Sequence, residues 1–211
     1  MFTGIVTAIG TIDKVEQRGD LRVTIACPFD PETIAIGASI ACAGVCLTVV
    51  DRGGSPGPQN ENRVWFAVDV SAETVSRTAK GLWREDRRSN LEPSLRLGDE
   101  MGGHIVSGHV DAVGWIADWQ PDGASTRLTV RAPAALAPFI APKGSITVDG
   151  VSLTVNEVAD RADGAVDFGL NVIPHTSEVT TLGELAQGAE VNLEIDTVAR
   201  YLKRLESLRA P

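Results

Sequence analysis

Residues Ser39–Val49 read SIACAGVCLTV, and residues Ser145–Val155 read SITVDGVSLTV. Apart from a short central stretch, the two phrases differ only where Cys46 of the first is replaced by Ser152 in the second. Both are rich in β-branched residues and show the alternation that is typical of strands. Because strand propensity alone does not produce so many identities in one order, the pair indicates an internal duplication.

Other segments of the chain repeat in the same order and at nearly the same spacing. The matched pairs are TGIVTAIGTI from Thr3 with SGHVDAVGWI from Ser107, ETVSRT from Glu73 with HTSEVT from His175, and NLE from Asn90 with NLE from Asn192. Most of the remaining sequence reads as short strands separated by clusters of Gly, Asn, Asp and Pro. We therefore predict an all-β protein with a small antiparallel barrel in each half, since closure of a barrel removes exposed strand edges.

The duplication sets the expected domain boundaries. The first barrel is expected over residues 1–103, the second over residues 104–196, and a C-terminal helix over residues 197–211. Short helical turns are expected after Ser71 and Ile173, at matching places in the two halves.

The C-terminal segment, DTVARYLKRLESLRA from Asp196, has helical rather than strand periodicity. Asp196 or Thr197 can cap this helix. Its apolar residues recur at spacings of three and four and form one stripe: Val198, Tyr201, Leu202, Leu205 and Leu208. Two alternatives follow, in which the helix packs back onto its own chain or meets the same helix of other subunits.

Composition and charge limit the classes of partner. The chain has 211 residues, of which 43% are hydrophobic and 22% charged, as in globular proteins. A net charge of −9 and a pI near 4.8 disfavour nucleic acid, which is bound through clustered Lys and Arg. A small molecule or another protein is expected instead. The first residues, MFTGIVTAIG, carry no secretory signal pattern, so a cytoplasmic protein is expected.

Neither a disulfide framework nor a metal site is expected from the cysteines and histidines. Cys27, Cys42 and Cys46 are an odd number of cysteines in a chain without an export signal. The spacing of Cys42 and Cys46 is not that of zinc sites. His104 and His109 also lack the spacing of the H-E-x-x-H motif.

The repeated phrase predicts a polar face on one strand of each half. Cys46 and Thr48 lie two residues apart and share a face, while the apolar residues around them face the core. Ser152 and Thr154 are the equivalents in the second half. Such faces suit a planar heterocycle with amide edges, although hydroxyls on a barrel strand often serve only to satisfy local hydrogen bonds.

The two halves carry unlike residues at several equivalent positions. The unlike pairs are Cys46 with Ser152, Ile5 with His109, Gly37 with Lys143, and Ala43 with Asp149. Two related pockets with different polar groups can hold two similar molecules in unequal roles. This is the main functional inference that the duplication supports.

Six motifs in one order resemble the riboflavin synthase family: MFTGIV, GVCLTV, NLEPSLRLGDEMGGHIVSGHVD, GSITVDGVSLTV, VIPHTSEVTTLG and VNLEID. The resemblance covers essentially the whole chain and implies two six-stranded Greek-key barrels that bind lumazines. It implies a reaction in which two molecules of 6,7-dimethyl-8-ribityllumazine exchange a four-carbon unit. The products are riboflavin and 5-amino-6-(ribitylamino)uracil, with no metal or redox cofactor. It also implies a homotrimer whose sites form between the first barrel of one subunit and the second barrel of its neighbour.

The resemblance also implies which residues line the two lumazine sites. For the first site they are Gly4, Ile5, Val6, Cys46, Leu47, Thr48, Asp69, Val70, Ser71, Ala72, Glu73 and Thr74. For the second they are Gly108, His109, Val110, Lys143, Ser152, Leu153, Thr154, Val172, Ile173, Pro174, His175, Thr176 and Ser177. Each group combines an N-terminal segment, a strand and a turn of the same half.

Catalytic roles are hypotheses at this stage. The candidates are Phe2, Ser39, Cys46, His109, Ser152, Thr154 and Asp196. Cys46 and Ser152 are candidate nucleophiles, and His109 is the neighbouring group that titrates near neutral pH. The alternatives are an inert thiol at Cys46 and a structural histidine at His109. His104 is interpreted as structural or peripheral.

Two segments depart from the family pattern, and one alternative function stays open. The departures are GLWREDRRSNLE, which ends at Glu92, and the long Gly- and Pro-rich loop from Asp51 to Asn62. The alternative is a lumazine protein, which has the same duplicated fold but binds one chromophore without turnover. Intact CLT and SLT motifs, together with Phe2 and His109, favour the enzyme.

Overall fold

The computed structural model describes residues 1–54 and 64–209, so most of the loop from Asp51 to Asn62 lies outside the described residues. The first half contains β1 (Ala8–Arg18), β2 (Asp20–Ala26), β3 (Ser39–Cys42), β4 (Val45–Gly53), β5 (Trp65–Val70), helix α1 (Ala72–Arg77) and β6 (Arg88–Pro93), with a 3₁₀ turn at Pro31–Thr33. These strands form a closed antiparallel barrel in the order β1-β2-β5-β4-β3-β6. Alternate residues of β4 and β5 point inward, and Val49, Phe66 and Val68 are fully buried there.

The second half repeats this order of elements. It contains β7 (Ala112–Asp122), β8 (Ser125–Ala132), β9 (Ser145–Val148), β10 (Val151–Thr154), β11 (Val158–Asp160), β12 (Val166–Val172), helix α2 (Pro174–Val179) and β13 (Glu190–Ile195), with 3₁₀ turns at Ala134–Phe139 and Thr181–Glu184. The strands form one seven-stranded antiparallel sheet in the order β10-β9-β13-β7-β8-β12-β11. The prediction of an all-β protein built from two like halves is confirmed.

The extra strand has a local cause, because the counterpart of β4 is divided into β10 and β11. In the first half, a register shift between Val49 and Asp51 marks a bulge within one continuous strand. At the equivalent place in the second half, the amide of Asn156 donates to the carbonyl of Gly169 at 2.8 Å, and the amide of Gly169 donates to Glu157 at 2.9 Å. The divided strand therefore stays bonded to β12, and the sheet curls over its own core.

The repeated glycine sits in a two-residue hairpin turn in each half. Ala43 and Gly44 have φ values of 47° and 80°, and Asp149 and Gly150 have the same values. Positive φ at both central positions is the requirement of a type I′ turn. A Cβ atom at Gly44 would lie 2.8 Å from the backbone nitrogen of Gly150, so the two turns are in direct contact. Both the turn type and this contact require glycine.

Two buried asparagines join the halves beside these turns. The side chain of Asn90 donates to the carbonyl of Asp149 at 2.9 Å and accepts from the amide of Thr181 at 2.7 Å. Asn192, its equivalent, makes the corresponding pair of bonds to the first half at 2.9 and 2.8 Å. These are the asparagines of the repeated NLE motif, and they make the two halves one interlocked body.

The predicted helices are confirmed: α1 and α2 follow Ser71 and Ile173, and α3 (Thr197–Ser207) ends the described chain. Asp196 is the cap, and its side chain accepts from the amide of Val198 at 2.8 Å. Residues of the apolar stripe are between 54% and 65% exposed: Val198, Tyr201, Leu202, Leu205 and Leu208. The chain therefore leaves this stripe largely uncovered, while Arg200, on another face of the helix, pairs with Asp111 at 2.7 Å. Within the described residues, no helix has the length and apolarity needed to cross a membrane.

Candidate active site

Two short segments that precede β1 and β7 meet at the centre of the molecule. We call residues 1–7 the N-terminal arm and residues 105–111 the linker arm. The amide of Phe2 donates to the carbonyl of Val106 at 2.8 Å, and the amide of Val106 donates back at 3.1 Å. The Phe2 side chain is fully buried and forms a small cluster with Ala41, Val106 and Cys46. Phe2 is therefore an ordered residue next to a predicted site residue, and not a frayed terminus.

A buried glutamate holds the N-terminal arm in place. Glu92, in β6, accepts from the amide and the hydroxyl of Thr3 at 2.7 and 2.9 Å and from the amide of Gly4 at 2.9 Å. Burial raises the pKa of Glu92, and the donors of Thr3 and Gly4 oppose that shift. The arm is thus fixed to its own barrel by one carboxylate.

Glu194, in β13, holds the linker arm in the same way. It accepts from the amide and the hydroxyl of Ser107 at 2.7 and 2.6 Å, and from the amides of Gly108 and His109 at 2.9 and 3.0 Å. The carboxylate is 1% exposed, so all four donors are directed at a group that water scarcely reaches. Sequence reasoning used the two glutamates only as part of a repeat, although their shared place in NLE was the available signal.

Each arm crosses to the opposite half, which corrects the predicted grouping of the site residues. The carbonyl of Gly4 accepts from the amide of Ser152 at 2.8 Å, and the carbonyl of Gly108 accepts from the amide of Cys46 at 2.8 Å. Gly4 to Val6 were grouped with Cys46, and Gly108 to Val110 with Ser152. The structure places Gly4 next to Ser152 and Gly108 next to Cys46 instead. Each arm is held by the glutamate of its own half, but its glycine carbonyl accepts a hydrogen bond from a strand of the opposite half.

The linker arm and β4 enclose a cleft of about 200 Å³, which we call the Cys46 cleft. Its lining residues are Val45, Cys46, Glu73, Thr74, Arg77, Thr78, Gly108, His109 and Val110. Cys46 is half-buried and His109 is exposed at the rim. Strand β4, helix α1 and the linker arm therefore line one site. This agrees with the grouping of Cys46 with the linker arm.

Ser152, the equivalent of Cys46, lies in different surroundings. Its hydroxyl is 2.7 Å from Nδ1 of His104, and the amide of His104 donates to the carbonyl of Thr3 at 3.1 Å. A Cβ atom at Gly103 would lie 3.0 Å from the Ser152 hydroxyl oxygen and 2.0 Å from the carbonyl oxygen of Thr3, so only glycine fits there. Ser152 thus contacts His104 and the glycine before it, whereas Cys46 lines the Cys46 cleft, although both side chains are half-buried.

His104 is the residue that sequence reasoning underrated. Its Nε2 atom is buried and has no hydrogen-bond partner among the described residues. Burial lowers the pKa of His104, while the charge of Asp196 acts in the opposite direction. The ring is therefore neutral at neutral pH, and it contacts Ser152 in that form. The adjacent glycines of GGH were the sequence signal for this close packing.

The remaining predicted site residues fall into three groups. The side chains of Leu47, Val70 and Val172 are buried in the two cores, so these residues can contribute only backbone atoms to a site. Ser39 is paired with Thr48, and Thr154 with Ser145, on the outer faces of the sheets. Exposed or partly exposed residues in loops and in helices α1 and α2 are Lys143, Ser71, Ala72, Ile173, Pro174, His175, Thr176 and Ser177.

Two acidic candidates have structural partners that account for their positions. Asp69 forms a two-pronged ion pair with Arg22 across β2 and β5 at 2.5 and 3.0 Å, and it is absent from the Cys46 cleft. Asp196 caps α3. No group of His, Cys, Asp or Glu side chains suited to a metal ion exists among residues 1–54 and 64–209.

Comparisons with known proteins identify the class of proteins that shares this duplicated fold. The family model described as the lumazine binding domain matches twice, over residues 3–94 and 107–196. The chain thus consists largely of two copies of this domain. Among solved structures, LumP complexed with 6,7-dimethyl-8-(1'-D-ribityl) lumazine has the same fold, with a TM-score of 0.73 and 24% identity. The similarity covers 92% of this chain and 99% of LumP.

Curated relatives narrow the class to one family. Riboflavin synthase of Brucella abortus is 49% identical over 97% of this chain and 98% of its own length. Riboflavin synthases of Mycobacterium tuberculosis and Bacillus subtilis are 45% and 35% identical over 97% of this chain, and the matches cover 98% and 89% of those proteins. The chain belongs to the riboflavin synthase family.

Proposed function

We propose that this chain is a transferase that converts two molecules of 6,7-dimethyl-8-ribityllumazine into riboflavin and 5-amino-6-(ribitylamino)uracil. The observation that carries the proposal is the pair of like but unequal positions, Cys46 and Ser152, each bonded to the arm of the opposite half. A reaction between two identical molecules needs two similar sites that treat them differently. The full-length similarity to riboflavin synthases supports this enzyme over a binder without turnover.

One lumazine must lose a proton from its 7-methyl group, and its ring carbonyls carry the resulting negative charge. We assign this molecule to the half that contains Ser152, where Thr154 and Lys143 also present donors on the outer face. Donors that are already oriented stabilise such an anion without reorganisation. The contact of Ser152 with His104 supports the assignment, since it holds the hydroxyl oxygen in place, and the Ser152 hydroxyl can donate to the substrate when Nδ1 of His104 carries the proton.

The second lumazine accepts the attack of this anion at a ring carbon, and we assign it to the Cys46 cleft. The cleft offers a half-buried thiol, the exposed imidazole of His109 and the hydroxyl of Thr74 around an opening of about 200 Å³. His109 is the candidate for proton transfer at the rim of this cleft. Orientation of two stacked substrates can supply roughly 7–11 kcal/mol of the rate enhancement.

The Cys46 cleft and the Ser152 half of one chain need a neighbour to bring their lumazines together, and we propose a homotrimer that forms each complete site between subunits. The exposed stripe of α3 supports this, because Tyr201, Leu202 and Leu205 have no apolar cover in the single chain. Three such helices can bury their stripes against one another. The domain boundaries near residues 103 and 196 fit this arrangement.

Genetic complementation tests the function. The chain is expressed in a bacterial strain that lacks its own riboflavin synthase and requires riboflavin for growth. Growth without added riboflavin is expected, and an empty vector is the control. Accumulation of folded protein without growth would contradict the proposal.

Replacing Cys46 with serine is expected to leave the fold intact and to lower turnover on the order of five-fold, a loss of about 1 kcal/mol in transition-state stabilisation. Serine occupies the equivalent position of the second half, so the backbone accepts it. The measurement is the initial rate of riboflavin formation beside the thermal midpoint. Complete loss of turnover in a folded variant would show that the thiol is obligatory.

Two substitutions of His104 separate a positioning role from simple packing. His104→Ala removes the contact with Ser152 and is expected to lower turnover by about ten-fold, as for one lost hydrogen bond. His104→Asn places a polar atom near the position of Nδ1 and is expected to retain most of the rate. The rates of both variants are measured as a function of pH. Equal losses in the two folded variants would exclude the positioning role.

A further inference from the structure

A second cavity lies where the two halves meet, and we call it the junction pocket. Its volume is about 370 Å³, and it shares no lining residue with the Cys46 cleft. The lining comes from the segment after α1, the start of β6, the two hairpin turns and the loop before β13: Ala43, Ala79, Lys80, Gly81, Leu82, Arg84, Arg87, Arg88, Asp149, Thr181, Gly188, Ala189 and Glu190. Residues from both halves thus enclose a volume suited to a small ligand.

The junction pocket is locally basic in a chain of net charge −9. Lys80 pairs with Glu190 at 3.7 Å, and Arg88 pairs with Glu184. Arg84 and Arg87 have no ion pair with any of the described residues. Two unpaired guanidinium groups beside a cavity create a local excess of positive charge.

One atom in this pocket lacks an expected partner. Nε of Arg87 is buried and donates to no hydrogen-bond acceptor among residues 1–54 and 64–209. A buried guanidinium nitrogen without an acceptor is costly. The carboxylate of Asp149, on the wall of the same pocket, accepts from the amide of Asn192 at 2.8 Å through one oxygen; the charge of Arg87 acts on this carboxylate, but the two groups form no ion pair. The pocket thus has donors in excess of acceptors.

We propose that the junction pocket binds a small phosphate monoester through Arg84 and Arg87. Guanidinium groups bind phosphate oxygens with two parallel hydrogen bonds, and a phosphate supplies the acceptors that Nε of Arg87 lacks. The volume of about 370 Å³ exceeds the needs of a bare anion and accommodates a short polyol attached to it. These arginines belong to GLWREDRRSNLE, the segment that departs from the family pattern.

Binding would also connect the halves. Arg84 and Arg87 come from the first half, whereas Thr181 and Glu190, on the opposite wall, come from the second. A ligand that contacts both walls binds the folded chain and not the unfolded one, so it raises the thermal midpoint with concentration. The effect is expected without any change at the Cys46 cleft.

The test is calorimetric titration of the full chain at constant ionic strength. The probes are glycerol 3-phosphate, inorganic phosphate and glycerol, with chloride as the background anion. We expect glycerol 3-phosphate to bind one per chain with a Kd of about 1 mM or tighter, and glycerol not to bind. If inorganic phosphate binds as tightly as the ester, the free anion is the ligand; weaker binding of phosphate identifies the ester.

Variants assign the binding to the pocket. Arg87→Gln is expected to weaken binding of glycerol 3-phosphate at least ten-fold, and Arg84→Gln serves in its place if that variant does not fold. Arg127→Gln removes a surface arginine that pairs with Asp122 at 2.9 Å, and it should leave binding unchanged. Absence of saturable binding at ten times the expected Kd, or equal affinity in the Arg87 and Arg127 variants, would overturn the proposal.

Discussion

Replacing Glu194 with alanine is expected to destabilise the protein by about 3 kcal/mol or more and to lower turnover at least about 100-fold. The substitution leaves four buried hydrogen-bond donors of Ser107, Gly108 and His109 without an acceptor. Loss of a charged acceptor costs more free energy of folding than loss of a neutral one. It also releases the linker arm from the Cys46 cleft, and small displacements of positioning groups reduce rates steeply.

Urea unfolding and initial-rate measurements on the same preparation test both effects. Glu178→Ala is the matched control, because this glutamate is exposed on α2 and should leave stability and rate unchanged. A Glu194→Ala protein within about 0.5 kcal/mol of the parent would show that the carboxylate does not hold the arm.

Replacing Asp149 with asparagine is expected to stabilise the protein by about 3 kcal/mol at pH 7. Burial raises the pKa of Asp149 to about 6, which means that the folded state disfavours the charged form. Asparagine keeps an acceptor for the amide of Asn192 and tolerates the positive φ of 47° at this turn position. The charge is lost while the hydrogen bond and the turn are retained.

The sign of the pH dependence follows from the same shift. Between the ordinary pKa of an aspartate and about 6, the folded chain binds more protons at Asp149 than the unfolded chain does. The contribution of Asp149 to the free energy of unfolding therefore falls as pH rises through this window. The gain from Asp149→Asn should be nearly absent at pH 4 and complete above pH 7. Unfolding curves across this range measure it, and a gain that does not depend on pH would contradict the assignment.

Local patterns in the sequence were sufficient for the strands, the turns and the helices. Cys46 and Thr48 were placed on the outer face of β4 because side chains alternate in a strand, and the structure has them there. Asp196 was one of two candidate caps because its carboxylate can reach the first free amides, and it caps α3. These features depend on residues close together in the chain.

The contacts between the halves could not be predicted in this way. The alignment of the repeats pairs Gly4 with Gly108, but it does not say that each carbonyl bonds the opposite half. Glu92 and Glu194 act on segments 85 or more positions away in the chain. The contact of His104 with Ser152 likewise joins residues 48 positions apart. Only the packing of two complete sheets brings these groups together.

The Cys-to-Ser difference in the repeated phrase therefore marks two different environments. Cys46 lines a cleft with His109 at its rim, while Ser152 contacts His104 and lies against Gly103. In both halves the residue lies on an equivalent strand, and its amide donates to the arm of the opposite half. The side chains around Cys46 and Ser152 differ. This inequality is the basis for assigning the acceptor and donor lumazines to different halves.

The most direct test of this account is a product balance. The purified protein is incubated with 6,7-dimethyl-8-ribityllumazine alone, and all three compounds are quantified by chromatography as the reaction proceeds. The account predicts that two lumazines disappear for each riboflavin formed, with an equal amount of 5-amino-6-(ribitylamino)uracil. Saturable binding of the lumazine with no riboflavin formed would contradict it.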